Sequence, residues 1–341
     1  MRIGVLTAGG DCPGLNAVIR SVVHRGLTGH GDEILGFEDG FKGLLEGRYR
    51  PLDLNAVSGI LARGGTILGS ARLERARLHE AADNAEALCQ AHGIDVLIPI
   101  GGEGTLTAAR MLADAGMPVV GVPKTIDNDI SATDRTFGFD TAVMVATEAI
   151  DRLKTTAESH QRVMVVEVMG RHAGWIALES GMAGGAHGIC IPERPFNPAD
   201  LVAMVEERFA RGKKFAVICV AEGAHPIQGT MAYGYGEIDA YGHERFMGIG
   251  TRLAEELANR LGKEARPVIL GHVQRGGVPT AYDRVLATRF GWHAVEAAHE
   301  GAFGHMTALR GTSIEMVPLK DAITELKRVP ADRIREAESV F

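Results

Sequence analysis

Two carboxylates separated by one asparagine form the sharpest chemical signal in this sequence, in the run Pro123-Lys124-Thr125-Ile126-Asp127-Asn128-Asp129. One such carboxylate can accept the proton of an attacking hydroxyl while the other supports a metal. Lys124 adds a cation where phosphate charge would lie. A solvated acidic turn is the alternative reading of the same letters. Gly101-Gly102-Glu103-Gly104-Thr105 sets an acid among glycines. An acid there can hold a divalent cation while backbone amides hold phosphate oxygens, or it can merely suit the dipole of a helix that starts there. Gly9-Gly10-Asp11-Cys12-Pro13-Gly14-Leu15-Asn16 lets amides approach an anion at a helix start, or makes a tight turn with no ligand. It is neither GxGxxG nor a Walker A loop, so dinucleotide and P-loop readings lose support.

Two further glycine-flanked runs carry cations. Met169-Gly170-Arg171-His172-Ala173-Gly174 offers a planar guanidinium for phosphate. Gly271-His272-Val273-Gln274-Arg275-Gly276-Gly277 places an arginine three residues after a histidine, which suits a sugar-phosphate pocket better than a lone structural histidine. Glu222 could accept hydrogen bonds from sugar hydroxyls or simply open a loop. Arg162 and Arg266 each stand where an apolar run begins, ordinarily a solvated strand end.

These runs follow short β-branched segments. Ile3–Ala8, Asp95–Ile100, Pro118–Val122 (ending at Pro123), Arg162–Val168, Phe215–Ala221 and Pro267–Leu270 read as strands. Helical patterns separate them, at about Leu15–Leu27 and Thr105–Ala115 for example. That alternation predicts βαβ units and mostly parallel sheets covered on both faces, with the chemistry at the carboxyl ends of the strands. Gly223–Gly250 has weak periodicity and reads as a long loop or insertion. Asp321–Phe341 is charged and reads as a surface helix or tail.

The chain has 341 residues, 45% hydrophobic and 23% charged, which suits a soluble protein of about two domains. A net charge of −7 and an isoelectric point near 6.0 argue against a nucleic-acid or membrane-surface binder. No run approaches the ~20 apolar residues of a membrane helix, and no secretory signal is visible. Cys12, Cys89, Cys190 and Cys219 are far apart and make no CxxC, as reduced cysteines of a cytoplasmic protein do.

Taken together the motifs resemble the phosphofructokinase family from Ile3 to roughly Gly301. The carriers are GGDCPGLNAVIR (Gly9–Arg20), RGGTILGSAR (Arg63–Arg72), GGEGT, PKTIDND, SHQR (Ser159–Arg162), MGR and RPVILGHVQRGG (Arg266–Gly277). The resemblance implies two Rossmann-like three-layer α/β domains with mostly parallel sheets and the active site in the cleft between them. It divides the chain into a phosphoryl-donor (ATP) domain, residues 1–138 plus about 252–305, and a fructose 6-phosphate domain, residues 139–251 plus about 306–341.

It also implies roles. Asp127 is the general base on the sugar 1-hydroxyl, with Thr125 and Ile126 beside it. Arg171, Arg72 and Lys124 stabilise charge on the transferring phosphoryl group. Gly10, Arg72, Gly102, Glu103, Gly104 and Thr105 hold the donor. Glu103 and Asp129 hold Mg²⁺. Met169, Gly170, Arg171, Glu222, His272, Val273, Gln274 and Arg275 bind fructose 6-phosphate. Arg162 and Arg266 reach the neighbouring subunit's sugar site, so a homo-oligomer (a dimer or tetramer) is implied.

The departures from the family pattern concern donor and control. Relatives using pyrophosphate carry Asp where this chain has Gly104, and Lys at 124; common ATP enzymes carry Gly at both. A side chain at 104 would fill the space of a nucleotide α-phosphate, so Gly104 favours ATP, with pyrophosphate as the alternative. For effectors, Arg20, Lys154, Lys213 and Lys214 match or substitute for the family's basic residues. His24 and Leu54 stand where relatives have arginines, Gly59 replaces an acid, and effector control is not carried over. A non-catalytic phosphate-ligand regulator would lack Asp127 or Glu103, and both are present. An oxidoreductase would need GxGxxG and a downstream acid.

Overall fold

The computed structural model describes residues 1–71, 74–233 and 248–340. Along the chain run β1 (Arg2–Ala8), α1 (Leu15–Arg25), β2 (Glu33–Phe37), α2 (Phe41–Glu46), β3 (Tyr49–Pro51), α3 (Arg75–Asp83), α4 (Ala85–His92), β4 (Val96–Gly101) and α5 (Glu103–Asp114). Next come β5 (Val120–Thr125), β6 (Phe137–Gly138), α6 (Phe139–His160), β7 (Val163–Val168), α7 (Trp175–Ala183), β8 (Gly188–Cys190), α8 (Pro198–Ala210) and β9 (Ala216–Ala221). Then follow α9 (Ile249–Leu261), β10 (Ala265–Ile269), α10 (Ala281–His299), β11 (His305–Arg310), β12 (Ser313–Pro318), α11 (Leu319–Ala322) and α12 (Ala331–Val340).

The chain forms two compact units, Met1–Thr141 with Arg275–Leu326, and Ala142–Gln274 with Lys327–Phe341. The second and third crossings lie at 274/275 and 326/327, against about 252 and 305 on the sequence reading. Strand pairing is the reason. β10 lies parallel to β7 in the second unit's sheet, and the β11–β12 hairpin extends β5 in the first.

The first unit's sheet runs β12-β11-β5-β4-β1-β2-β3, with β6 on β5. β2–β3 and β11–β12 are antiparallel and the remaining pairs parallel. The central strands β1 and β4 are mainly apolar and buried along nearly their whole length, as parallel strands covered on both faces must be. The second unit's sheet, β10-β7-β9-β8, is all parallel, and every residue of β7 and β9 is buried. β10 is its edge and is largely exposed.

The expected strands are present, with one informative shift. β5 was expected to end at Pro123, but β6 pairs with Lys124 and Thr125 and carries it two residues further. Lys124 is therefore a strand residue and not a loop residue. Half of the expected loop 223–250, residues 234–247, lies outside the described residues, and α9 opens at Ile249. Among the described residues no helix is long and apolar enough to cross a membrane.

Candidate active site

In the first unit, three of the glycine-rich or acidic turns leave three adjacent strands at one level. The register pairs Ala8 of β1 with Gly101 of β4, and Gly101 with Pro123 of β5. Neighbouring strands are about 4.8 Å apart, so the GGDCPG, GGEGT and PKTIDND turns are side by side. They also touch. Lys124 Nζ donates to the Gly10 carbonyl. A Cβ on Gly102 would lie 3.3 Å from the Lys124 carbonyl oxygen, and one on Gly9 would lie 3.7 Å from Thr105 Oγ1.

Each turn is braced by its own residues. The Asp127 amide donates to Thr125 Oγ1 at 3.0 Å, and Thr136 Oγ1 donates to the Thr125 carbonyl at 2.8 Å. Asn128 is buried with φ 52°, and its Oδ1 accepts from the Thr136 amide at 3.1 Å. Asparagine tolerates that left-handed conformation, and here it fixes the bend between the two aspartates. Ile126 is buried in the core, so its backbone is what a ligand can meet. Thr105 is also buried, its side chain against Gly101 and Gly9, and braces its own turn.

The GGEGT turn is open where a donor needs space. Gly102 caps α5 without a side-chain hydrogen bond, so the first amides of the helix are available to an anion. Glu103 and Gly104 are exposed, and a Cβ on Gly104 would meet nothing within 4 Å. Among the described residues no cluster of three or more acidic, histidine or cysteine side chains is assembled for a metal. Mg²⁺ in phosphoryl-transfer sites takes one or two carboxylates and fills its sphere from phosphates and water. One exposed glutamate and one half-buried aspartate, Asp129, fit that pattern.

Lys124 is buried, and burial pushes its pKa down; Asp11 and Asp129 act against that and the Arg275 guanidinium with it. Arg275 comes from the 3₁₀ turn Gly271–Arg275, and its Nη1 lies 2.7 Å from where a Cβ on Gly10 would be. Arg275, expected among the sugar-binding residues, packs its guanidinium on the Gly10 turn.

In the second unit the expected sugar residues follow the carboxyl ends of β10, β7 and β9, which are neighbours. Val168 pairs with Ala221, the Glu222 amide donates to the Val168 carbonyl at 2.8 Å, and the Gly223 amide donates to the Gly170 carbonyl at 3.1 Å. Gly170 has φ 135°, and an added Cβ would lie 2.8 Å from the Ala173 carbonyl, so only glycine fits there. Met169 is buried, Arg171 and Glu222 half-buried, His272 and Val273 exposed. Gln274 is fully buried: Oε1 accepts from the Met169 amide at 3.4 Å, and Nε2 donates to the Gly271 carbonyl at 3.2 Å. Its side chain braces the turn.

Arg162 and Arg266 are not brought to this end. They stand at the amino ends of β7 and β10, and both contact Glu264, a residue the sequence reading passed over. The six residues of β7 separate the ends by roughly 20 Å, at about 3.3 Å per residue. The available signal was period-2 spacing, which puts Glu264 on the same face as Arg266. Arg72, expected at both donor and catalytic positions, lies outside the described residues.

The phosphofructokinase family model matches residues 2–298. The chain belongs to the phosphofructokinase family. ATP-dependent 6-phosphofructokinase 2 of Streptomyces coelicolor is 82% identical over 341 residues, all of both chains, and that organism's ATP-dependent 6-phosphofructokinase 3 is 69% identical over the same span. Pyrophosphate–fructose 6-phosphate 1-phosphotransferase of Amycolatopsis methanolica is 60% identical, again over the whole of both chains. Among solved structures, the Pichia pastoris phosphofructokinase in the T-state aligns with TM-score 0.82 and 32% identity, over 99% of this chain and 36% of that longer one. A pyrophosphate-dependent phosphofructokinase from Marinobacter aquaeolei aligns with TM-score 0.82 over 97% of this chain and 86% of its own, and at 23% identity it speaks to the phosphofructokinase fold alone.

Proposed function

We infer that this chain is an ATP-dependent 6-phosphofructokinase, transferring the γ-phosphoryl group of ATP to the 1-hydroxyl of fructose 6-phosphate in glycolysis. The observation that carries the reading is the register of β1, β4 and β5, which sets the TIDND turn beside the open GGEGT turn and the GGD turn. Base and donor cradle then belong to one side of one sheet, as in-line transfer requires.

Asp127 takes the hydroxyl proton as the sugar oxygen attacks. The amides at Gly10 and Gly102–Gly104 hold donor oxygens, and Lys124 and Arg275 add positive charge beside Gly10. Arg171 and Arg72 stabilise charge on the moving group. Thr125, Ile126, Met169, Gly170, Arg171, Glu222, His272 and Val273 hold the sugar phosphate. Glu103 and Asp129 would hold Mg²⁺, which when bound neutralises developing phosphate charge.

ATP is favoured over pyrophosphate by the space at Gly104, and the relatives at 82% and 69% identity carry ATP-dependent names while those at 60% carry the pyrophosphate name. Lys124 is compatible with ATP because its ammonium is turned onto the Gly10 carbonyl. Purified protein with fructose 6-phosphate and Mg²⁺, given ATP or pyrophosphate in parallel, tests this; turnover with pyrophosphate alone would reverse the donor assignment.

We further propose a cytoplasmic homo-oligomer, dimer or tetramer. Arg162 and Arg266 lie at the wrong end of the second unit's strands for their own chain's Met169–Arg171 and Glu222, and β10 is an exposed edge, so a second copy is the natural recipient. At fructose 6-phosphate concentrations well below KM, mixing Asp127→Ala with Arg162→Ala subunits should raise activity above that of the unmixed Arg162→Ala protein if sites are shared between copies, and should only dilute it if they are not.

A further inference from the structure

We propose that Glu264 is a positioning residue for sugar-phosphate recognition, holding Arg162 and Arg266 as one preorganised cationic pair. This rests on the assignment of those two arginines to a phosphorylated sugar, here one bound by a second copy of the chain. Each carboxylate oxygen of Glu264 serves one arginine. Oε2 accepts from Arg162 Nε; Oε1 accepts from Arg266 Nε at 2.7 Å, with Arg266 Nη2 at 2.5 Å. Backbone pairing keeps the three together: the Val163 amide donates to the Glu264 carbonyl at 3.1 Å, and Arg266 faces Met164 across the β7–β10 ladder.

The contacts are made on the Nε edges. Among the described residues, the terminal nitrogens of Arg162 make no hydrogen bond within the chain, and Arg266 bonds only to Glu264. The outward ends of both guanidiniums thus remain as donors, in the planar geometry that suits a phosphomonoester. Two arginines and one carboxylate leave a net charge of +1, so the group still attracts an anion while its long side chains are already ordered. Side chains are 33% exposed at Arg162, 39% at Glu264 and 61% at Arg266, a rim position reachable by another molecule. An exposed ion pair contributes little to folding, so stability gives no reason for a carboxylate gripping two arginines at once. Ordering them before the ligand arrives does, because each immobilised arginine otherwise costs binding free energy.

The test compares Glu264→Gln, Glu264→Asp, Arg162→Ala and Arg266→Ala in the full-length protein, with steady-state kinetics for both substrates and melting temperature. Glu264→Gln should raise KM for fructose 6-phosphate roughly tenfold, with kcat, KM for ATP and melting temperature near the parent values. Glu264→Asp keeps the charge, reaches only one arginine and should fall between. Placed on an Arg162→Ala/Arg266→Ala background, Glu264→Gln should add nothing. An unchanged or lowered KM in Glu264→Gln overturns the proposal, the lowered value marking a competitor for the arginines. So does a further rise on the double-alanine background. If Arg162→Ala and Arg266→Ala themselves leave KM for fructose 6-phosphate unchanged, the arginine assignment has failed and the role of Glu264 falls with it, a result distinct from failure of Glu264 alone.

Discussion

Lys124 in the first unit and the Arg162–Arg266 pair in the second are cations held in opposite ways. Lys124 is buried, bound to a backbone carbonyl and depressed in pKa by its burial. The arginines are on a rim, held by a carboxylate and open on their outer edges. A buried cation braces a turn, and its loss should reach the fold and the donor together. A rim cation meets a ligand, and its loss should reach binding and leave the fold alone. Substitutions at both places can break that distinction.

The largest effect belongs to the turn that directly follows Lys124 in the chain. Asp127→Ala should lower kcat by on the order of 10²–10⁴ with an unchanged melting temperature; parent-like turnover would remove Asp127 from the base role. Gly104→Asp should lower kcat/KM for ATP by on the order of 10², since a carboxylate would face donor phosphates. The open space around Gly104 means the fold should tolerate it, so a fall in melting temperature would count against the donor explanation.

Lys124→Met strands the Gly10 carbonyl. It should cost about 1–3 kcal/mol in denaturant unfolding and raise KM for ATP. Arg266→Ala should raise KM for fructose 6-phosphate roughly tenfold, the cost of one truncated charged contact, while unfolding moves by less than about 1 kcal/mol. If these two variants exchanged phenotypes, the buried and exposed cations would not differ as argued.

The smallest expected effect is on pH dependence in the second unit. His187 Nδ1 accepts from the Val217 amide at 2.9 Å, and burial holds the imidazole neutral with its pKa down at about 4 from an ordinary 6.5. Between those values the unfolded chain binds more protons than the folded one. The stabilising contribution is therefore whole above pH 6.5 and is lost as pH falls toward 4. His187→Asn keeps an acceptor for the amide and removes the titration, so its melting temperature should decline less than the parent's from pH 7 to 4.5 in parallel scans.

Local chemistry was legible at the strand ends. Glycine runs after β-branched segments mark turns at carboxyl ends whatever the rest of the chain does, so the GGD, GGEGT, TIDND and MGR runs could be found from letters alone. The bracing contacts of the Gln274 and Thr105 side chains could not be read from letters, because burial is not written in a residue's name. Arg275 was grouped with His272 by proximity in sequence, yet its guanidinium packs on Gly10, more than 260 residues away in the chain. Glu264 was missed because its meaning depends on Arg162, which is 102 positions distant.

Residue type and spacing therefore specified the α/β alternation and the acidic and glycine-rich turns proposed here as base, metal acid and phosphate cradle, all of which depend on contacts among near neighbours in the chain. Strand order and register were settled by folding: which turns stand side by side, which cation is buried against a carbonyl, and which arginines stand at the far end of their strands. Those are properties of long-range pairing, where a partner's identity comes from packing and backbone hydrogen bonds between distant segments, and no local pattern encodes them.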